Sequence, residues 1–183
     1  EQGNKAVEQQ TRCILKTLYD ETGIEIDSLS PLMPWVIRHS GWTIHRFRGL
    51  PSGITSYQAM KLREYNGQLV QFGGLVWARL PSPEVQNSKM ELRWISRVWL
   101  GKVTASDEHI VAGKSGGPAI KVRTIRRRPQ TERWSKEQLE LVQCTPWTSA
   151  EKLVDSTVPT KRRFITRGEV ARLGGTPGCE ACS

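Results

Sequence analysis

A chain of 183 residues with 37% hydrophobic and 25% charged side chains is long enough for one ordinary domain or two small ones. Its net charge of +9 and pI near 9.7 favour an acidic partner, nucleic acid before anionic membrane. No apolar run approaches the roughly 20 residues that span a bilayer, no signal peptide is visible, and four cysteines are too few for a disulfide scaffold, so a nuclear or cytoplasmic protein without a membrane partner is expected.

Val7, Thr11, Ile14 and Leu18 form a helical stripe that predicts an amphipathic helix over residues 5–21, stopped at Gly23. Ser30-Pro31 predicts the N-cap and first turn of a second helix. Its apolar face runs through Leu32, Trp35, Val36, His39 and Trp42 or Thr43 and ends near Phe47. Thr55 predicts the cap of a short helix through Leu62, and Asn66-Gly67 is a turn signal and the expected domain boundary. Beyond it the texture changes to short apolar, aromatic-bearing runs. They predict strands at 75–80, 93–100, 109–112 and 119–126, with a turn at 114–118. Ile120 and Val122 alternate with Lys121 and Arg123, the period of a half-buried strand. Four or five such strands in about 60 residues predict a small barrel or meander. From Pro129 the chain is mostly polar, with short helices predicted at 135–142 and toward Leu173. The expected class is α+β: a helical segment 1–66, a small β-barrel 67–130 and a polar, mostly irregular tail 131–183.

Most of the excess charge sits in one stretch. Residues 121–133 hold Lys121, Arg123, Arg126, Arg127, Arg128 and Arg133 against Glu132 alone, a net +5. Such cations neutralise phosphates and release counterions, so Arg123, Arg126, Arg127 and Arg128 with Lys121, and Arg97 and Lys102 on the neighbouring strand, are the candidate DNA-binding residues. Trp35, Trp77 and Trp99 are expected in the core, while Trp94 is left open between packing and stacking. Cys179-x-x-Cys182 is half of a tetrahedral zinc set, which needs four ligands, or else two thiols on a tail. Cys13 is expected to pack, His39 to lie in the core and His109 to be structural; His45 is undecided between solvent and DNA.

The layout resembles the integrase region of a copia-like retrotransposon Pol polyprotein. The resemblance runs in order through Glu1–Arg12, through Pro34-Trp-Val-Ile-Arg-His-Ser-Gly-Trp-Thr-Ile-His-Arg-Phe47 and through Gly53-Ile-Thr-Ser-Tyr57. It continues through Phe72-Gly-Gly-Leu-Val-Trp77, Trp99-Leu-Gly-Lys102, Glu108-His-Ile-Val111 and Arg123-Thr-Ile-Arg-Arg127. Gln2 and Ser56 depart from the family's usual Arg and Pro at those places.

The resemblance implies the last helices of a ribonuclease-H-like core followed by an SH3-like barrel, acting in DNA integration. Laid on the family pattern, Glu1 takes the position of the catalytic glutamate, with Glu8 as the fallback. The family's chemistry uses three carboxylates and two Mg or Mn ions, which hold the attacking and leaving oxygens of a strand transfer. Asp20, Asp27, Asp107 and Asp155 all follow Glu1, so none takes the place of the two upstream aspartates. The chain is therefore expected to be a piece of a longer protein, inactive and without a cofactor by itself, with a homo-oligomer expected only in the intact parent. The resemblance also implies His and Cys partners for Cys179 and Cys182 beyond Ser183. The alternatives are a non-catalytic nucleic-acid or chromatin reader on the same barrel, or a decayed transposon remnant without activity.

Overall fold

The computed structural model describes residues 2–79 and 94–147. Glu1, Cys179, Cys182 and the expected tail beyond Trp147 lie outside the described residues.

The first helix, α1, spans Gln2–Thr22. It has no proline to break it, and it stops where Gly23 takes φ +69°, its N–H donating to the Tyr19 carbonyl at 2.8 Å. Of the predicted stripe Leu18 is buried and Val7, Thr11 and Ile14 are half-buried, with Ala6 buried beside Val7, while Cys13 is exposed rather than packed. Helix α2 spans Met33–Phe47, two residues later than expected. Ser30-Pro31 forms the preceding turn, with Met33 N–H donating to the Ser30 carbonyl, and Pro34 occupies the first helical turn where a missing N–H costs nothing. Trp35, Val36, His39, Ser40, Trp42 and Arg46 make the buried face of α2. The Thr11 hydroxyl of α1 donates to Ser40 Oγ at 3.0 Å, fixing the two helices together. Helix α3, Ser56–Lys61, is capped as predicted: Thr55 Oγ1 accepts from Gln58 N–H at 3.1 Å.

Five strands follow: β1 Leu75–Arg79, β2 Trp94–Lys102, β3 His109–Val111, β4 Ile120–Val122 and β5 Ile125–Arg127. The single strand expected over 119–126 is thus two, broken at Arg123-Thr124. The sheet is antiparallel throughout, in the order β4-β3-β2-β1-β5. Its edge strands β4 and β5 are separated by only those two residues, so the sheet must coil until its edges lie within about 11 Å at that end. Strand β2 changes register between Trp99 and Gly101, which helps it bend through the coil.

The coiled sheet has two cores because its strands alternate. Val76, Ala78, Trp99, Val111, Val122 and Ile125 fill the concave side. On the other side Leu75, Val98, Leu100 and Ile110 pack with Leu18, Leu32, Trp35 and Val36 of the helices. The chain after β5 completes this second core: helix α4, Lys136–Glu140, capped by Ser135, adds Leu139, and Val142 and Cys144 follow. The Trp35 indole donates to the Cys144 carbonyl at 2.7 Å. The turn at Asn66-Gly67 therefore joins the helical segment to the sheet within one compact unit instead of separating two domains, and residues 131–144 belong to that unit rather than to a tail.

Candidate nucleic-acid interface

Strand alternation divides the cationic run instead of gathering it. On β5, Ile125 turns into the concave core, so Arg126 faces the opposite side, directly across from Trp77, which stands across from Ser96. On β1, Val76 and Ala78 point inward, and Trp77 and Arg79 point out with Leu75. Leu75 is covered by the helical layer, but Trp77 is not and stays 37% exposed. Its expected place in the core is therefore corrected, whereas Trp35 and Trp99 are fully buried as expected. Trp94 is half-buried, across from Arg79.

The arginines lean diagonally over these rings. The Arg126 guanidinium sits 4.6 Å from the centre of the Trp94 ring, and that of Arg128 sits 4.8 Å from the Trp77 ring. Arg128 is tethered: it donates to Ser96 Oγ at 3.1 Å and to Glu132 at 2.7 Å. Arg79 and Arg126 are exposed, and among the described residues no carboxylate lies within ion-pair distance of either. The outer face of β1, β2 and β5 is thus a ladder of indole and guanidinium with two cations that no carboxylate of the described residues pairs. A groove of about 570 Å³ lies beside Arg128, lined also by Ser96, Trp134 and Gln138.

The other expected DNA-binding residues lie elsewhere. Arg97 and Arg127 flank Val76 on the concave-side row, and Arg127 donates to the Leu69 carbonyl. Lys121 stands across from Ile110 at the β4 edge, and Arg123, in the β4–β5 turn, pairs with Glu108 at 3.3 Å. Lys102 is a correction. Its side chain is 2% exposed, with Nζ 2.6 Å from Asp107 Oδ2 and 2.9 Å from the Tyr65 hydroxyl, so it is consumed internally and cannot meet a phosphate.

That internal cluster joins the helices to the sheet. The Tyr65 hydroxyl donates to Asp107 at 2.7 Å. Burial, the hydrogen bond to Asp107 and that carboxylate's charge raise its pKa well above the ordinary phenol value, so it remains a donor. Arg46, 4% exposed, lies over the rings of Trp42, Tyr57 and Tyr65 at 4.3, 5.3 and 5.2 Å. Desolvation lowers its pKa, while the tyrosines and Asp107 act in the opposite sense. Among the described residues two of its nitrogens, Nε and Nη1, have no hydrogen-bond partner and lie against π-clouds instead. His39 is buried among Trp42, Phe72 and Trp99, as expected for a core histidine, and burial, aided by Arg38, holds its pKa down to about 4. His45 settles against Tyr57, ring centres 6.1 Å apart.

Arg79 was not among the expected site residues, Trp77 was expected in the core, and Trp94, left open between packing and stacking, lies on this face. The signal was present in the period-2 spacing of Trp77 and Arg79 around inward Ala78. Among the described residues no group of three or more His, Cys, Asp or Glu side chains could hold a metal, so these residues do not supply the carboxylate set that Mg or Mn would require. No helix among them is long and apolar enough to cross a membrane. No family model, curated protein or solved structure matches this chain.

Proposed function

We propose that this chain binds DNA through the outer face of β1, β2 and β5, as the carboxy-terminal part of an integrase of the copia-like retrotransposon kind. The observation that carries the reading is the ladder of Trp94, Arg126, Trp77 and Arg128 flanked by Arg79, which has no carboxylate partner among the described residues. Phosphates gain from free guanidiniums, and a net charge of +9 steers a polyanion toward them. The strand order, the bend in β2 and the two-residue link between the edge strands support the finer reading of the sheet as an SH3-like barrel. The ordered motif resemblance supports the parentage, with α1 and α2 as the last helices of a ribonuclease-H-like core. In the intact parent this piece supplies DNA grip, and by itself it catalyses no strand transfer.

The chromatin-reader alternative needs an open aromatic cage for a methylated cation. With Arg128 and Arg126 against Trp77 and Trp94, a further cation would meet like charge at these rings, which favours an anionic ligand.

The test is binding of the full chain to duplex DNA of unrelated sequences across a salt series. Native protein should bind without sequence preference and with a steep salt dependence. The double variant Arg79→Ala/Arg126→Ala should flatten the log–log slope by about 0.9 for each phosphate that is no longer neutralised. An unchanged slope, or no binding at low salt, overturns the proposal.

A further inference from the structure

We propose that this same face prefers unpaired DNA, one base stacking on Trp77 while the strand's phosphates run past Arg79 and Arg126. The inference rests on the DNA-binding reading above and names the form of DNA it takes. Trp77 is a large ring left exposed on a strand face, whereas Trp35 and Trp99 are fully buried. It is also held still. Arg128 lies against it and is itself fixed by Ser96 and Glu132, so little ordering remains to be done when a flat ligand arrives. Each base inside a continuous duplex already has neighbours on both faces, and an indole on a sheet gains nothing from it. An unpaired base has a free π-face and polar edges. Arg79 and Arg126, on the same face and without carboxylate partners among the described residues, supply the charge complement for the backbone.

The experiment uses the full chain and fluorescence anisotropy with a labelled oligothymidylate of about 12 nucleotides, within the site sizes single-strand binders cover. A duplex of equal length, an oligouridylate of equal length and polyglutamate are compared with it. Native protein should bind the oligothymidylate roughly 10-fold or more tighter than the duplex. Trp77→Ala should weaken single-strand binding by about 10-fold and duplex binding by less than about 3-fold, and Trp77→Phe should restore most of the loss. Thermal melts of both variants confirm folding. If duplex and single strand bind equally, or if Trp77→Ala weakens both alike, the preference for unpaired DNA falls while the DNA-binding reading stands. If neither DNA binds, both fall. Oligouridylate or polyglutamate binding as tightly as oligothymidylate also overturns the inference, the first in favour of RNA and the second in favour of any flexible polyanion.

Discussion

The Trp99 indole donates to His109 Nδ1 at 3.1 Å across the β2–β3 pair. An indole nitrogen can only donate, so His109 accepts at Nδ1, and its neutral ring carries the proton on Nε2. His39 stands edge-on to the same indole, ring centres 5.2 Å apart. Two neutral histidines therefore flank one buried tryptophan. Burial first, then Lys102, hold the His109 pKa down to about 4, with Asp107 opposing.

This arrangement makes the fold acid-sensitive. Both histidines titrate near 6.5 when unfolded and near 4 when folded, so between these values the unfolded chain binds more protons. Stability is full above about pH 6.5 and falls as pH drops toward 4, by about 3 kcal/mol for His39 if its whole shift is realised. Urea unfolding at a series of pH values measures this. A His39→Phe variant should flatten the slope in that window, and an unchanged slope would show that His39 does not contribute.

The Lys102–Asp107 pair should respond asymmetrically. Asp107→Ala leaves an ammonium buried with the Tyr65 oxygen as its one remaining partner among the described residues, and should cost about 3–5 kcal/mol. Lys102→Met removes the buried charge and leaves Asp107, whose side chain is 40% exposed, to water, so the cost should be about 1 kcal/mol. Chemical denaturation of the two variants compares them directly. Lys102→Met should also leave the salt slope of DNA binding unchanged, unlike Arg126→Ala.

Gly73 is the hinge by which the chain enters β1. It holds φ +80°, and an added Cβ would stand 2.5 Å from Leu18 Cδ2 and 3.3 Å from Leu139 Cδ2. Gly73→Ala combines left-handed strain with overpacking and should lower stability by about 2–4 kcal/mol, read from the shift in denaturation midpoint.

Helix α4 is short but structural. Leu139 is 1% exposed, in the core that α1, α2 and β2 share, and Leu139→Ala should cost about 2–5 kcal/mol by equilibrium unfolding. A loss near zero would mean that α4 is merely draped on the sheet.

Local signals carried much of the architecture. The cap Thr55, the short helix beginning near Ser135, the stripe ending at Gly23 and the alternation in β1 to β3 are all properties of neighbours in sequence. The break at Arg123-Thr124 was hidden because the alternation of Ile120 to Arg123 gave no sign of where the strand ends. Lys102 was misread because its partners are remote: Tyr65 lies 37 residues before it, and Asp107 reaches it only through the turn where Asp107 itself takes φ +59°. Trp77 was misread because a tryptophan between Val76 and Ala78 looks apolar on both sides. Only the limited reach of the helical layer, a property of tertiary packing, leaves it uncovered.

The Trp35–Cys144 hydrogen bond has a consequence for biosynthesis. The donor sits 109 residues ahead of its acceptor, and the acceptor belongs to the last described segment of the shared core. A nascent chain emerging from the ribosome presents Trp35 about a hundred residues before the Cys144 carbonyl that accepts from its indole has cleared the exit tunnel. Until residues 139–144 follow, helices α1 and α2 keep part of their apolar flank open, an interval in which chaperones rather than native contacts must shield it.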